Sequence, residues 1–404
     1  MEDTFMTELK IKNVRHLNNI SIPLSAEKRK TLILTGKNGS GKTSVLEALK
    51  EFLSYVVSKD FNSEEEIEDS IDRLKNEIKV ENSYTFEILN AIEYYNKLKT
   101  NFEGAVAKFQ SYYDLKKKYE KGEFVLAYYS DNRVIDVEIP KNIEKIDLET
   151  VYDINSHPSR QLVKYLVNLK TVEAFAKTNE NEKRAEEIKI WFEKFENILR
   201  TIYDDETLTL EFNIDTFEFK INIKGREPFD FNSMSMGYAA VFDIIGDLIM
   251  RMESKHNYNI EGLVMIDEIE THLHVELQKK IVPILTELFP RIQFVLTTHS
   301  PFILNSAENS VVYDLESKKL VENGLTNLPY EGIVEGYFGS DRLSKKLRDK
   351  FEEYKKIAEK PELTDNDFAR AAELEMYLDE VPDYLALDIA TEYSRLKLEL
   401  DNRG

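Results

Sequence analysis

The run Gly36-Lys37-Asn38-Gly39-Ser40-Gly41-Lys42-Thr43 places glycines, a lysine and a hydroxyl at G-x-x-x-x-G-K-T spacing. Glycines at such positions let successive backbone N–H groups turn inward onto an anion, and a following helix adds the positive end of its dipole. At this spacing Lys42 reaches the β- and γ-phosphates of a nucleoside triphosphate, and Thr43 offers its hydroxyl to Mg²⁺. With Ser44 added, this run is the expected nucleotide-binding stretch. Its flanks suit the purpose: Thr31–Thr35 reads as a short buried strand. Val45, Leu46, Leu49, Phe52, Leu53 and Val56 recur at helical spacing. Strand, glycine loop and helix together predict a site for ATP with Mg²⁺.

A second group of residues can act on what that loop holds. Leu263-Val264-Met265-Ile266 is an apolar strand that ends in Asp267-Glu268. Asp267 is placed to hold Mg²⁺, directly or through water, and Glu268 to orient and deprotonate the attacking water. Farther on, the strand Ile292–Leu296 runs into Thr297-Thr298-His299-Ser300-Pro301, where Ser300 and Pro301 make a strong helix start. His299 is thereby expected at the carboxyl end of a buried strand, where α/β sheets place their ligands. A neutral imidazole there can hydrogen-bond the γ-phosphate. Phe231–Tyr238 leads into an apolar helix, with Ser235 as a plausible N-cap and Gly237 as a point of close approach. After the strand Phe124–Tyr129, Arg133 is a candidate sensor, with an ordinary surface arginine as the alternative reading.

Composition bounds what else the chain does. It has 404 residues, enough for a large core, and no cysteine, which excludes disulfides and thiolate chemistry. No apolar run reaches the ~18 residues that span a membrane, and the acidic N-terminus lacks signal-peptide features, so a cytoplasmic protein is expected. Net charge is −21. That balance disfavours indiscriminate DNA binding while leaving open a local basic groove or a basic protein partner.

The remaining elements must carry these groups. Partial alternation over Thr7–Leu24 predicts two strands ahead of the phosphate loop. Ser63 and Glu66 form a capping box that opens a helical stretch, and residues 57–123 read as a helical insertion. Residues 140–203 read as a second one. Pro283 is expected to kink or break the helix that starts at Val275. From Leu343 onward the chain is acidic and helical, with apolar stripes (Leu347, Phe351, Tyr354; Leu374, Leu378) that need covering and a break at Pro382. The expected plan is an ATPase domain over 1–335 and a helical region over 336–404 for packing or partner binding.

Walker A, a serine–glycine helix start, Walker B with Asp-Glu and a strand ending in histidine, in that order, resemble the ABC-type ATPases. In particular the chain resembles the RecF/SMC-like branch and its compact bacterial relatives, among them subunits of antiphage systems such as Septu. That resemblance implies an α/β fold of P-loop NTPase type with a mixed β-sheet core. It implies ATP hydrolysis with Lys42, Glu268 and His299 in catalytic roles and Thr43 and Asp267 at Mg²⁺. Ser235 and Gly237 stand where the family's signature binds the γ-phosphate held by the opposite subunit. The signature is degenerate here, and no Q-loop glutamine follows Phe124, which implies slow, regulatory turnover. The expected partners are a second copy closed around two ATP molecules, or a higher oligomer, and a separate nuclease, since residues 340–404 carry no nuclease motif. The alternative is a RecF-like DNA-repair ATPase.

Overall fold

Met6–Val14 (β1) and Leu17–Pro23 (β2) bury Met6, Leu9, Ile11, Val14, Leu17, Ile20 and Ile22 and turn their polar residues outward. They pair antiparallel with Ile11 opposite Ile20, as alternation demands of a sheet covered on one face. Thr31–Thr35 (β3) is buried at all positions, as a strand covered on both faces must be. The chain then turns through the glycine loop into Lys42–Val56 (α1), whose Val45, Leu46, Leu49, Phe52, Leu53 and Val56 pack into the core formed with β1 and β3.

The structure is a computed structural model that describes residues 3–81, 86–133, 143–326, 328, 332–333, 345–379 and 387–401. The chain folds as two compact units, Met1–Asn327 and Leu328–Gly404. The expected boundary at 335/336 and the break at Pro382 fall outside the described residues.

Residues 57–123 are not helical throughout. Glu64–Glu81 (α2) begins at the expected capping box, with Ser63 N–H donating to Glu66 Oε2 (2.8 Å) and Glu66 N–H to Ser63 Oγ (3.3 Å). Phe86–Lys99 (α3) follows, but Ala105–Phe109 (β4) is a strand paired antiparallel with β1, Leu9 opposite Ala107. The segment therefore closes a three-stranded sheet in the order β2-β1-β4 before Tyr112–Glu120 (α4) returns the chain to Phe124–Tyr129 (β5). Two long helices, Leu162–Thr178 (α5) and Glu182–Tyr203 (α6), and a hairpin of Thr209–Asn213 (β6) and Glu218–Asn222 (β7) come next. Met236–Glu253 (α7) is the apolar helix after the serine–glycine start.

Glu261–Ile266 (β8), Val275–Leu288 (α8), Ile292–Thr297 (β9), Pro301–Ser306 (α9), Ser310–Asp314 (β10) and Lys319–Val321 (β11) complete the unit. α8 continues past Pro283, which sits inside it rather than ending it. The main sheet runs β11-β10-β3-β9-β8-β5, parallel throughout except for β11 at its edge. This is a mixed sheet, and it sets the carboxyl ends of β3, β9, β8 and β5 side by side.

In the second unit, Lys345–Ala358 (α10), Asp365–Leu378 (α11) and Leu387–Asp401 (α12) enclose a core of their own. Phe351, Tyr354 and Ile357 pack with Leu374, Leu378, Tyr393 and Leu396. The apolar stripes read from the sequence thus cover one another.

Candidate active site

The phosphate loop adopts the backbone its glycines permit: φ is +136° at Gly36, +84° at Gly39 and +97° at Gly41. A Cβ on Gly36 would lie 2.8 Å from Ser40 Oγ and 3.3 Å from Asp314 Oδ1, so the turn has no room for one. Lys42 is buried, and its ammonium donates to the carbonyls of Gly36 (3.0 Å) and Lys37 (3.4 Å) across the loop. Burial lowers the Lys42 pKa from the usual lysine value, against the pull of Glu268, Asp267, Glu270 and Asp314. Lys37 and Asn38 stand at the exposed lip, Lys37 paired with Glu316 at 2.9 Å. Thr43 is exposed and Ser44 half-buried at the first turn of α1.

Register brings the acidic pair to the same edge. Because Ile266 of β8 lies opposite Leu296 of β9, Asp267 emerges beside Thr297. Thr297 Oγ1 donates to Asp267 Oδ1 (2.5 Å) and accepts from the Glu268 N–H (2.7 Å). The Asp267 N–H in turn donates to the Tyr129 carbonyl at the end of β5 (2.8 Å). Asp267 is fully buried, whereas the Glu268 side chain is 39% exposed and faces His299, with Nε2 4.0 Å from its Oε1. Glu268 holds a left-handed backbone at φ +44°. The His299 N–H donates to Glu270 Oε1 (2.5 Å). Burial, and then Lys42, lower the His299 pKa below its ordinary 6.5, opposed by Glu270, Glu268 and Asp267. Burial and Lys42 thus favour the neutral imidazole.

Gly36–Ser44, Asp267, Glu268 and His299 thus meet at the ends of three adjoining strands. Ser40 Oγ, Glu270 Oε2, His299 Nε2 and two nitrogens of Arg133 are buried there without a hydrogen-bond partner. Unpaired polar atoms of this kind cost free energy unless a ligand or water completes them. Phosphate oxygens and an attacking water would do so for Ser40 Oγ and His299 Nε2. Thr43 and Asp267 offer hard oxygen donors of the kind Mg²⁺ takes alongside substrate phosphates. The site fits both groups.

Ser235 and Gly237 are set apart from this cluster. Ser235 is exposed at the N-cap of α7, but its side chain makes no capping bond. A Cβ on Gly237 would come within 2.9 Å of the His272 carbonyl, so α7 sits against the loop between Glu268 and α8 only because that residue is glycine. Among the described residues no hydrogen bond links Ser235 or Gly237 to the phosphate loop, and the exposed Met236 stands beside them.

Three residues here were not singled out from the sequence. Thr297, Glu270 and Asp314 reach the site through strand register and a tight turn. Only the position of Thr297, two residues before His299, hinted at its place. Arg133 is not a surface arginine: it is 8% exposed, and its Nη2 donates to the Glu268 carbonyl at 2.7 Å.

The chain is 38% identical over 91 residues to the Septu protein PtuA of Bacillus mycoides (strain KBAB4), covering 22% of this chain and 12% of that protein. It is 25% identical over 240 residues to the "Retron Vc95 probable ATPase" of Vibrio cholerae serotype O1 biovar El Tor, covering 58% of this chain and 45% of the relative. The chain thus spans less than half the length of these relatives. A solved SMC head bound to the C-winged helix domain of ScpA aligns at TM-score 0.39 and 13% identity, covering 80% of this chain and 100% of that one. Residues 32–305, more than half of the chain, match the family described as "AAA domain, putative AbiEii toxin, Type IV TA system". The chain belongs to that AAA-domain family, and it is similar over part of its length to a Septu protein and a retron probable ATPase.

Proposed function

We propose that this chain binds and hydrolyses ATP as a subunit of an antiphage defence complex, closing as a dimer around the nucleotide and controlling a separate nuclease. The observation that carries the chemistry is the meeting of Lys42, Asp267, Glu268 and His299 at adjacent strand ends. In this reading Lys42 exchanges its bonds to the Gly36 and Lys37 carbonyls for β- and γ-phosphate oxygens. Thr43 and Asp267 would hold Mg²⁺, which when bound would offset the negative charge of those oxygens. Glu268 accepts a proton from water as the water oxygen bonds to the γ-phosphorus and the bond to the β-phosphate oxygen breaks. The neutral His299 hydrogen-bonds the phosphoryl oxygens. The exposed Ser235 and the N-terminus of α7 are free to meet the nucleotide of a second copy.

The defence role is supported by the likeness to a Septu protein and a retron ATPase. Its test is a tagged Glu268→Gln chain recovered from the source cell with Mg²⁺ and ATP, with co-purifying proteins identified by mass spectrometry. A stoichiometric nuclease, together with loss of phage resistance on deletion, is expected. A complex of recombination proteins, with phage plating unchanged by deletion, would replace this reading with DNA repair.

A further inference from the structure

Among the described residues Arg133 is a buried cation whose largest commitment is to another residue's backbone. β5 and β8 are parallel neighbours with Tyr129 opposite Ile266, so the two chains leave the sheet together. Ser130–Arg133 therefore runs alongside Asp267–Glu270. The Arg133 N–H closes a short turn onto the Asp131 carbonyl (3.0 Å), which directs the side chain back toward the acidic loop. There Nη2 meets the Glu268 carbonyl at 2.7 Å, while Nε and Nη1 lie buried without partners. The carboxylates acting on the guanidinium are Glu270, Asp243, Asp267 and Asp131.

Glu268 needs such a partner. It is a non-glycine residue in the left-handed region, a conformation that persists only where the surroundings over-determine it. Its N–H is fixed by Thr297 Oγ1, and its carbonyl accepts both from the Thr271 N–H (2.9 Å) and from Arg133. The peptides on either side of Glu268 are therefore pinned, and its half-exposed carboxylate faces His299, with Oε1 4.0 Å from Nε2. Removing Arg133 would leave the Glu268 carbonyl accepting only from the Thr271 N–H of the local turn, with the Ile269 N–H of the same peptide still donating to the Thr297 carbonyl (3.2 Å).

We propose that Arg133 is a positioning residue for Glu268: its bond to the Glu268 carbonyl holds the general base in the left-handed turn that aims it at the attacking water. This rests on the hydrolytic reading of the site given above. It differs from a role in which Arg133 grips the nucleotide directly.

The test compares the full chain with Arg133→Met and Arg133→Lys in steady-state phosphate release. It adds ATP affinity by calorimetry on the Glu268→Gln background, and amide exchange over residues 267–273. For Arg133→Met, kcat is expected to fall about 10- to 100-fold with KM and nucleotide affinity within about twofold, the cost of misplacing a catalytic group. Arg133→Lys, which keeps a donor and a charge, is expected to recover part of that loss. Exchange over 267–273 is expected to quicken in Arg133→Met while the melting temperature holds. An unchanged kcat, a KM that rises in step with the loss of kcat, or unchanged exchange would overturn the assignment. Should the unsubstituted chain release no phosphate, the hydrolytic reading fails, and the exchange result still decides whether Arg133 orders the Glu268 turn.

Discussion

Substituting Arg251 with methionine tests how α7 is fastened beneath the catalytic strands. Arg251 and Asp247, one turn apart on α7, are an ion pair of 2.7 Å with side chains 2% and 0% exposed. The guanidinium also donates to the carbonyls of Leu126 (3.1 Å), Asp153 (3.1 Å) and Ser156. Asp247 further accepts from the Tyr129 hydroxyl (2.7 Å) and the Ser159 N–H (3.2 Å). Because Tyr129 also receives the Asp267 N–H on its carbonyl, the pair ties α7 to the strand edge that carries the acidic residues. Methionine fills much of the arginine volume but leaves a buried carboxylate without its cation, which costs about 3–5 kcal/mol. Replacing Asp247 with leucine as well is expected to recover only part. The Tyr129 hydroxyl and the Ser159 N–H then lose their acceptor, at about 1–3 kcal/mol for each buried group.

The assay is urea unfolding followed by fluorescence of the single tryptophan, Trp191, which lies in the Met1–Asn327 unit and stacks on Phe195 at 5.3 Å. At an m-value near the top of the ~1–3 kcal/mol/M range, Arg251→Met lowers the midpoint by about 1–2 M. A loss below about 1 kcal/mol would refute the reasoning, because it would mean that water or a neighbouring cation reaches Asp247.

Other outcomes follow from the same structure. Gly237→Ala gains up to about 1 kcal/mol of helix propensity but forces a contact of 2.9 Å with the His272 carbonyl, so overpacking of about 1–3 kcal/mol prevails and stability falls in the same unfolding assay. Stability equal to or above that of the parent chain would show that the α7 start is loosely packed. By NMR titration of the nucleotide-free chain, His299 is expected to titrate below 6.5, since burial and Lys42 both disfavour its cation. Between that lowered pKa and 6.5 the unfolded chain binds more protons, so the His299 contribution to stability is present above 6.5 and is lost as the pH falls through this window. Lys42→Ala removes one of the lowering charges and is expected to move the His299 pKa upward; no change would mean that Lys42 stands too far away to act on it.

The parts of the site legible in the sequence were those written in consecutive residues. The phosphate loop, the Asp267–Glu268 step and the Ser300–Pro301 helix start each owe their shape to local chemistry, namely glycine conformations, strand ends and caps. What escaped reading depends on distant pairing. β4 is the run Ala-Val-Ala-Lys-Phe, which has little β-branched character and becomes a strand by lying against β1, some hundred residues earlier in the chain. Thr297, Glu270 and Asp314 acquire their roles only when β8, β9 and β10 are set in register around β3. Arg133 could be read as a sensor or as a surface residue, and only the parallel pairing of β5 with β8 brings it to the Glu268 carbonyl. Pro283 was expected to kink or break α8; the break does not occur, because the packing of Leu277, Ile281, Val282, Ile284 and Leu285 outweighs one missing backbone donor and the helix runs on to Leu288.

The most direct measurement is nucleotide binding and single-turnover phosphate release by the full chain with Mg²⁺, set beside Lys42→Ala and Glu268→Gln. The expected result is that the parent chain binds ATP and releases phosphate, Lys42→Ala does not bind, and Glu268→Gln binds as well as the parent but releases phosphate at least about 100-fold more slowly. Equal release by the parent and Glu268→Gln chains, or undiminished binding by Lys42→Ala, would contradict the assignment of this strand edge as the site where ATP is held and cleaved.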